Sequence, residues 1–123
     1  MGKLTCAIAD DNERMLQLLG DVLETDPEIQ VIGKAHNGEE VLGHIKDKQP
    51  DVVLLDITMP EMNGLDALAH IKEQDPSAKV IICSALGQQE QLARAIQLGA
   101  KDFIVKPFET DRLVAALNQV LER

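Results

Sequence analysis

The chain is 123 residues long, which is the size of one ordinary domain with room for a buried core. Hydrophobic residues make up 45% of it and charged residues 27%, a composition typical of folded rather than disordered proteins. The net charge of −9 and the absence of Trp and Tyr argue against nucleic-acid binding. Phosphate backbones attract Lys and Arg, and unpaired bases stack on aromatic rings.

The sequence also carries no sign of membrane attachment or secretion. No apolar run approaches the roughly 20 residues that span a bilayer, and no signal-peptide pattern precedes the first folded segment. The chain begins like a myristoylation site, but Cys6 stands where Ser or Thr is needed, so we expect no lipid anchor. Cys6 and Cys83 are the only cysteines, and both lie in apolar stretches. They fit buried thiols in a reducing compartment, so we expect a cytoplasmic protein.

Short apolar runs alternate with longer helical patterns along the chain. Most of the runs are continuously apolar, as expected for strands that are covered on both faces. The predicted strands are residues 4–9, 31–35, 52–55, 80–83 and 103–105. The absence of repeats and linkers indicates a single domain over residues 1–123.

Each predicted strand is followed by the apolar spacing of an amphipathic helix. The residues that mark these helices are Met15, Leu18, Leu19, Val22 and Leu23; Val41, Leu42 and Ile45; Leu65, Leu68 and Ile71; Leu92, Ala95 and Ile96; and Leu113, Leu117, Val120 and Leu121. Asn37 and Glu40 have the spacing of a capping box, Gly99 is predicted to end the fourth helix, and Thr110 to cap the fifth. Five strand–helix units predict a doubly wound α/β fold, with a parallel sheet and helices on both faces.

Polar residues stand at the ends of four predicted strands. Asp10 and Asp11 follow the first, Asp56 the third, Ser84 the fourth and Lys106 the fifth. The carboxyl ends of parallel strands lie along one edge of the sheet, where ligands bind in open α/β folds. Each residue alone has an ordinary explanation as a turn or a cap, but the set predicts one shared pocket.

The chemistry of that pocket favours phosphoryl transfer. Three carboxylates brought together repel one another, and a hard divalent cation such as Mg²⁺ removes that cost. A metal beside a lysine and a hydroxyl would stabilise the oxygens of a transferring phosphoryl group. Asp56 is the best candidate nucleophile, because it follows the most continuously apolar strand and an aspartate can form an acyl phosphate.

With these residues identified, the sequence closely resembles the receiver domains of bacterial two-component response regulators. The resemblance covers essentially all 123 residues. Its motifs are Ala-Asp-Asp-Asn at 9–12, Leu-Leu-Asp-Ile-Thr-Met-Pro-Glu-Met-Asn-Gly at 54–64, Cys-Ser-Ala-Leu-Gly at 83–87 and Gly-Ala-Lys-Asp-Phe-Ile-Val-Lys-Pro-Phe at 99–108. The resemblance implies a flavodoxin-like fold, with a five-stranded parallel sheet in the order 2-1-3-4-5.

The resemblance also implies roles for the residues at the pocket. Asp56 would be the phosphoacceptor, while Asp11 would bind Mg²⁺ directly and Asp10 largely through water. The backbone carbonyl of Thr58 would complete the protein's share of the metal shell. Lys106 would pair with the phosphoryl oxygens, and its peptide bond to Pro107 is expected to be cis.

Two further residues are implied to act as a switch. Ser84, where Thr is more frequent, would be drawn toward the phosphoryl group, and Phe103 would then turn inward. Phe103 replaces a frequent Tyr, so a switch step that needs the tyrosine hydroxyl is not expected. Thr58 and Leu86 stand at positions that tune loss of the phosphoryl group. Because Leu86 is apolar and should orient an attacking water poorly, we expect a comparatively long-lived phosphoaspartate.

Three alternative functions fit the residues less well. A haloacid-dehalogenase-type phosphotransferase needs a second aspartate where this chain has Thr58. A flavodoxin needs a glycine- and hydroxyl-rich phosphate loop after the first strand, whereas Asp10 and Asp11 would repel a phosphate without metal. A receiver that binds partners without phosphorylation would have no need of the complete acidic set.

The resemblance implies a signalling domain rather than an enzyme, although it assists its own phosphorylation and slow dephosphorylation. The donor would be a histidine kinase, and the surface that changes on phosphorylation would be the fourth helix, fifth strand and fifth helix.

The resemblance points to two kinds of output. Residues 59–64, 83–89 and 99–108 resemble Gram-positive chemotaxis regulators, which bind the flagellar switch. Residues 9–12 and 31–38 resemble sporulation-type regulators, whose receiver is linked to a DNA-binding output domain. The motifs are compatible with a phosphorylation-dependent homodimer and with a monomer.

Overall fold

The computed structural model describes residues 4–59, 62–85 and 87–122. Strands and helices alternate through this part of the chain. The elements are β1 (Leu4–Ala9), α1 (Glu13–Glu24), β2 (Ile29–Ala35), α2 (Gly38–Lys48), β3 (Val52–Asp56), α3 (Gly64–Gln74), β4 (Lys79–Ala85), α4 (Gln89–Gln97), β5 (Asp102–Lys106) and α5 (Thr110–Val120).

The five strands form one parallel sheet in the order β2-β1-β3-β4-β5, which confirms the predicted flavodoxin-like topology. β3 is the central strand, and all five of its residues are buried. Several strands extend beyond the predicted apolar runs; β2, for example, begins at Ile29, where Gln30 is exposed but pairs with Thr5. Apolar runs mark only the buried part of a strand, whereas backbone pairing continues past it.

Helices cover both faces of the sheet, as the continuously apolar strands predicted. α1 and α5 pack on one face, around Leu16, Leu19 and Leu113. α2, α3 and α4 pack on the other, around Val41, Leu68 and other buried side chains. Consecutive β3 residues contribute to opposite faces, so this strand is held between two apolar layers.

The predicted helix ends are partly confirmed. Gly99 follows α4 with a φ of +108°, as predicted for the residue after a helix. The Asn37 side chain accepts a hydrogen bond from the Glu40 amide, but the Glu40 carboxylate accepts from the His36 amide instead of completing the capping box.

At α5 the predicted cap is wrong. Thr110 is the first helical residue, and Glu109 occupies the N-cap position without a side-chain hydrogen bond to the helix. Glu109 is the last extended residue, so the helix begins one residue earlier than a Thr110 cap would require. At the other end, Leu121 is the C-cap residue rather than part of the helix.

Two other predictions can be compared with the structure. Cys6 and Cys83 are free and buried, and burial raises the pKa of each thiol to about 12. Across residues 4–59, 62–85 and 87–122, none of the helices combines the length and apolarity needed to cross a bilayer.

Candidate phosphoacceptor site

The buried polar side chains gather at one edge of the sheet. Among the described residues, the buried polar or charged side chains are Asp10, Asp56 and Ser84, which are 1%, 7% and 0% exposed. Asp10 follows β1, Asp56 ends β3 and Ser84 lies near the end of β4. These neighbouring parallel strands end at the same edge, so the structure brings together the residues that the strand ends predicted.

Lys106, at the end of β5, contacts both buried carboxylates. Its Nζ donates a hydrogen bond to Asp10 Oδ2 at 2.6 Å and lies 3.4 Å from Asp56 Oδ1. Burial disfavours the ammonium, but the hydrogen bond to Asp10 and the charges of both carboxylates outweigh it and raise the pKa of Lys106. The lysine therefore stays charged beside the two acids. Its peptide bond to Pro107 is cis, as predicted.

The three carboxylates are close enough to share one cation. Oxygens of Asp10, Asp11 and Asp56 all lie within 4.8 Å of one another. Asp11 is exposed at the mouth of the group, whereas the other two are buried. Oxygen ligands of this kind suit Mg²⁺, which keeps several of its own waters and needs only a few carboxylates.

The electrostatics of Asp56 also favour a bound cation. Burial raises its pKa most, the charge of Lys106 opposes that effect, and the charges of Asp10 and Asp11 add to it, so that the pKa is raised to about 6. One lysine does not balance three carboxylates. A divalent cation in contact with them would offset this excess negative charge, so the donor set fits the predicted metal.

The two predicted switch residues lie on β4 and β5. The Ser84 hydroxyl is buried and has no hydrogen-bond partner among the residues that the structure describes. Phe103 is 38% exposed, and its carbonyl accepts a hydrogen bond from Arg112 Nη2 at 2.7 Å. Their switching roles remain predictions, as does the metal-binding role of the Thr58 carbonyl.

Comparison with known proteins now identifies the family. A family model described as response regulator receiver domain matches residues 6–118. The chain belongs to this family.

Several chemotaxis regulators are similar to the receiver in sequence or structure. It is 51% identical to the chemotaxis protein CheY of Thermotoga maritima, with 98% of each chain covered. It is 46% identical to the CheY of Bacillus subtilis, covering 93% of the receiver and 94% of that protein. A solved CheX–CheY–BeF₃–Mg²⁺ complex from Borrelia burgdorferi superposes with a TM-score of 0.90 at 34% identity, covering 95% of the receiver and 88% of that chain.

Some parts of the receiver's site were not recognised from sequence. Gly64 was noted only as part of a motif, yet a Cβ there would lie 2.2 Å from the Asp56 carbonyl oxygen. It would also lie 2.6 Å from the Ile57 Cα, so a side chain would displace the backbone that carries the acceptor. A glycine at the start of a predicted helix was the available signal. Asn63 then caps α3 by accepting from the Asp66 amide.

Two motif segments lie outside the described residues. Pro60 and Glu61 fall between the described ranges, and so does Leu86. The long phosphoaspartate lifetime, which was predicted from Thr58 and Leu86, therefore stays a prediction.

Proposed function

We propose that the receiver accepts a phosphoryl group on Asp56, with Mg²⁺ held by Asp10, Asp11, Asp56 and the Thr58 carbonyl. The observation that carries this proposal is the convergence of three carboxylates and Lys106 at the end of the central strand. The family membership supports it, because the matched residues 6–118 include all of these side chains.

The chain's own residues account for most of the transfer. An Asp56 carboxylate oxygen attacks the donor phosphorus in line, while the bond from phosphorus to the leaving nitrogen of a phosphohistidine or phosphoramidate breaks. The leaving nitrogen keeps the bonding electron pair and takes up a proton. Bound Mg²⁺ would supply positive charge to the phosphoryl oxygens. Lys106 supplies a second positive charge from the β5 side, where it already contacts Asp56.

Asp56 is suited to this reaction at neutral pH. Its pKa is raised only to about 6, so most of the carboxylate is ionised at pH 7 even without a metal. Asp56 is therefore in the protonation state needed to attack a donor at neutral pH.

Intact-mass spectrometry tests the assignment directly. Wild-type protein incubated with Mg²⁺ and phosphoramidate is expected to gain the mass of one phosphoryl group. Asp56→Asn should show no gain, because the amide is not a nucleophile. Asp47→Asn, which changes an exposed aspartate on α2, should be phosphorylated normally. A gain that persists in Asp56→Asn, or its absence from the wild type, contradicts the proposal.

The output is proposed to be of the chemotaxis type. The Thermotoga and Bacillus CheY proteins match over nearly their whole length, and the Borrelia neighbour is a CheY bound to CheX. A histidine kinase would be the donor, and the α4–β5–α5 surface around Phe103 would bind a flagellar switch protein. The alternative is control of a linked DNA-binding output domain, as in sporulation-type regulators.

Binding to the flagellar switch separates these outputs. The phosphorylated receiver should bind a flagellar switch peptide several-fold more tightly than the unphosphorylated form, measured by calorimetry. Phe103→Ala should keep phosphorylation and weaken this binding, because Phe103 is exposed and supplies no charged group to the site. Equal affinity of the two forms would favour the linked-domain alternative.

A further inference from the structure

The side chain of Gln88 connects the two segments that flank the phosphoacceptor. Its Oε1 accepts a hydrogen bond from the Ala85 amide at 2.7 Å, and its Nε2 donates to Thr58 Oγ1 at 2.9 Å. Thr58 lies two residues after Asp56, and Ala85 directly follows Ser84. One amide group thus joins the end of β4 to the segment that leaves β3.

Capping of α4 does not explain this arrangement. Gln88 occupies the N-cap position, where a side chain normally accepts a hydrogen bond from an amide in the first turn of its own helix. The Gln88 side chain makes no such bond. Both of its polar atoms are instead engaged with residues outside the helix.

The neighbouring serine is in an unfavourable state. The Ser84 hydroxyl is buried without a partner among the described residues, and an unsatisfied buried hydroxyl is costly. A phosphoryl group on Asp56 would bring strong acceptor oxygens to the adjacent strand end. The Ser84 hydroxyl would gain a partner by bonding to one of them, and any movement of Ser84 toward the phosphoryl group would carry Ala85, the next residue, with it.

We propose that Gln88 is a positioning residue that holds the end of β4 in its unphosphorylated arrangement. This inference rests on the proposed function of Asp56. The bond to the Ala85 amide resists movement of Ser84, while the bond to Thr58 anchors Gln88 to the segment beside the acceptor. Removing the Gln88 side chain should therefore shift the equilibrium toward the phosphoryl-bound arrangement.

Affinity for a phosphoryl mimic measures this shift. Beryllofluoride with Mg²⁺ is titrated into each variant by isothermal calorimetry, since the chain has no Trp or Tyr to report by fluorescence. Gln88→Ala is expected to bind the mimic about fivefold more tightly, the effect of losing two partly exposed hydrogen bonds from one state only. Gln91→Ala, an exposed glutamine of α4, is the matched control and should bind like the wild type.

A second variant breaks the connection from its other end. Thr58→Val keeps the backbone carbonyl and removes only the hydroxyl that accepts from Gln88, so it should tighten binding by a smaller factor, about twofold. This variant decides the matter if Gln88→Ala does not fold. Melting curves are recorded for every variant. If Gln88 had only a structural role, its removal would lower the melting temperature without increasing the affinity for the mimic.

The outcomes separate the two proposals. Unchanged or weaker binding of the mimic by folded Gln88→Ala, with wild-type binding intact, overturns the role of Gln88. Failure of the wild type both to bind the mimic and to take up a phosphoryl group overturns the proposed function instead. Tighter binding in both variants, with the control unchanged, supports the positioning role.

Discussion

Replacing Lys106 by methionine is expected to lower the free energy of unfolding by about 3 kcal/mol in metal-free buffer. The methionine keeps the length and the apolar stem but removes the charge that contacts Asp10 and Asp56. Two buried carboxylates are then left without a cation, and breaking a buried ion pair in this way is far more costly than losing a surface pair. Mg²⁺ should restore part of the lost stability, because it supplies positive charge to the same oxygens.

The same substitution should slow phosphorylation by phosphoramidate about a hundredfold, the usual effect of removing one charge-stabilising group from a transfer site. Urea denaturation followed by far-UV circular dichroism gives the stability, and intact mass gives the rate. Lys101→Met is the matched control, since Lys101 is exposed and lies just before β5. Wild-type stability and rate in Lys106→Met would show that Lys106 is not the counter-charge of this site.

Asp56→Asn should have the opposite effect on stability. Because burial raises the pKa of Asp56 to about 6 from 3.8, the folded state holds its proton more tightly than the unfolded state. Stability from this group is therefore fully present below about pH 4 and is lost as the pH rises through 6. The asparagine variant avoids that loss and should be more stable by about 3 kcal/mol above pH 6, in metal-free buffer.

The pH profile distinguishes this cause from a general packing effect. Unfolding by urea is measured between pH 4 and pH 8 with a chelator present, and the advantage of Asp56→Asn should vanish toward pH 4. Asp47→Asn, at an exposed position, should show no pH-dependent gain. An advantage that is constant across this range would contradict the assigned cause. A stabilised Asp56→Asn would also show that its loss of phosphorylation does not come from misfolding.

The strand ends were predictable because they follow from backbone topology alone. Once the apolar runs are recognised as parallel strands, Asp10, Asp56, Ser84 and Lys106 have to meet at one edge. Only the type of element and the position within it were needed. The central strand was predicted from the continuous apolarity of residues 52–55, and β3 is indeed buried along its whole length.

Contacts that depend on loop conformation could not be predicted in this way. Gln88 reaches Thr58 across 30 positions of sequence, and nothing in its own neighbourhood indicates that partner. Glu40 has the correct spacing for a capping box, but the His36 amide and ring offer it competing donors. Where a side chain has several possible hydrogen-bond partners, the folded geometry determines which one it bonds, and sequence spacing does not.

The burial of Cys83 has a practical consequence. This thiol lies opposite Asp56 in the register of β3 and β4, immediately before Ser84, and no other cysteine besides Cys6 competes with it for reagents. With its pKa raised to about 12 and its sulfur enclosed, it reacts with an alkylating agent only when the strand end opens. The labelling rate of Cys83 thus measures local opening beside the acceptor, in a protein that has no Trp or Tyr to report it by fluorescence.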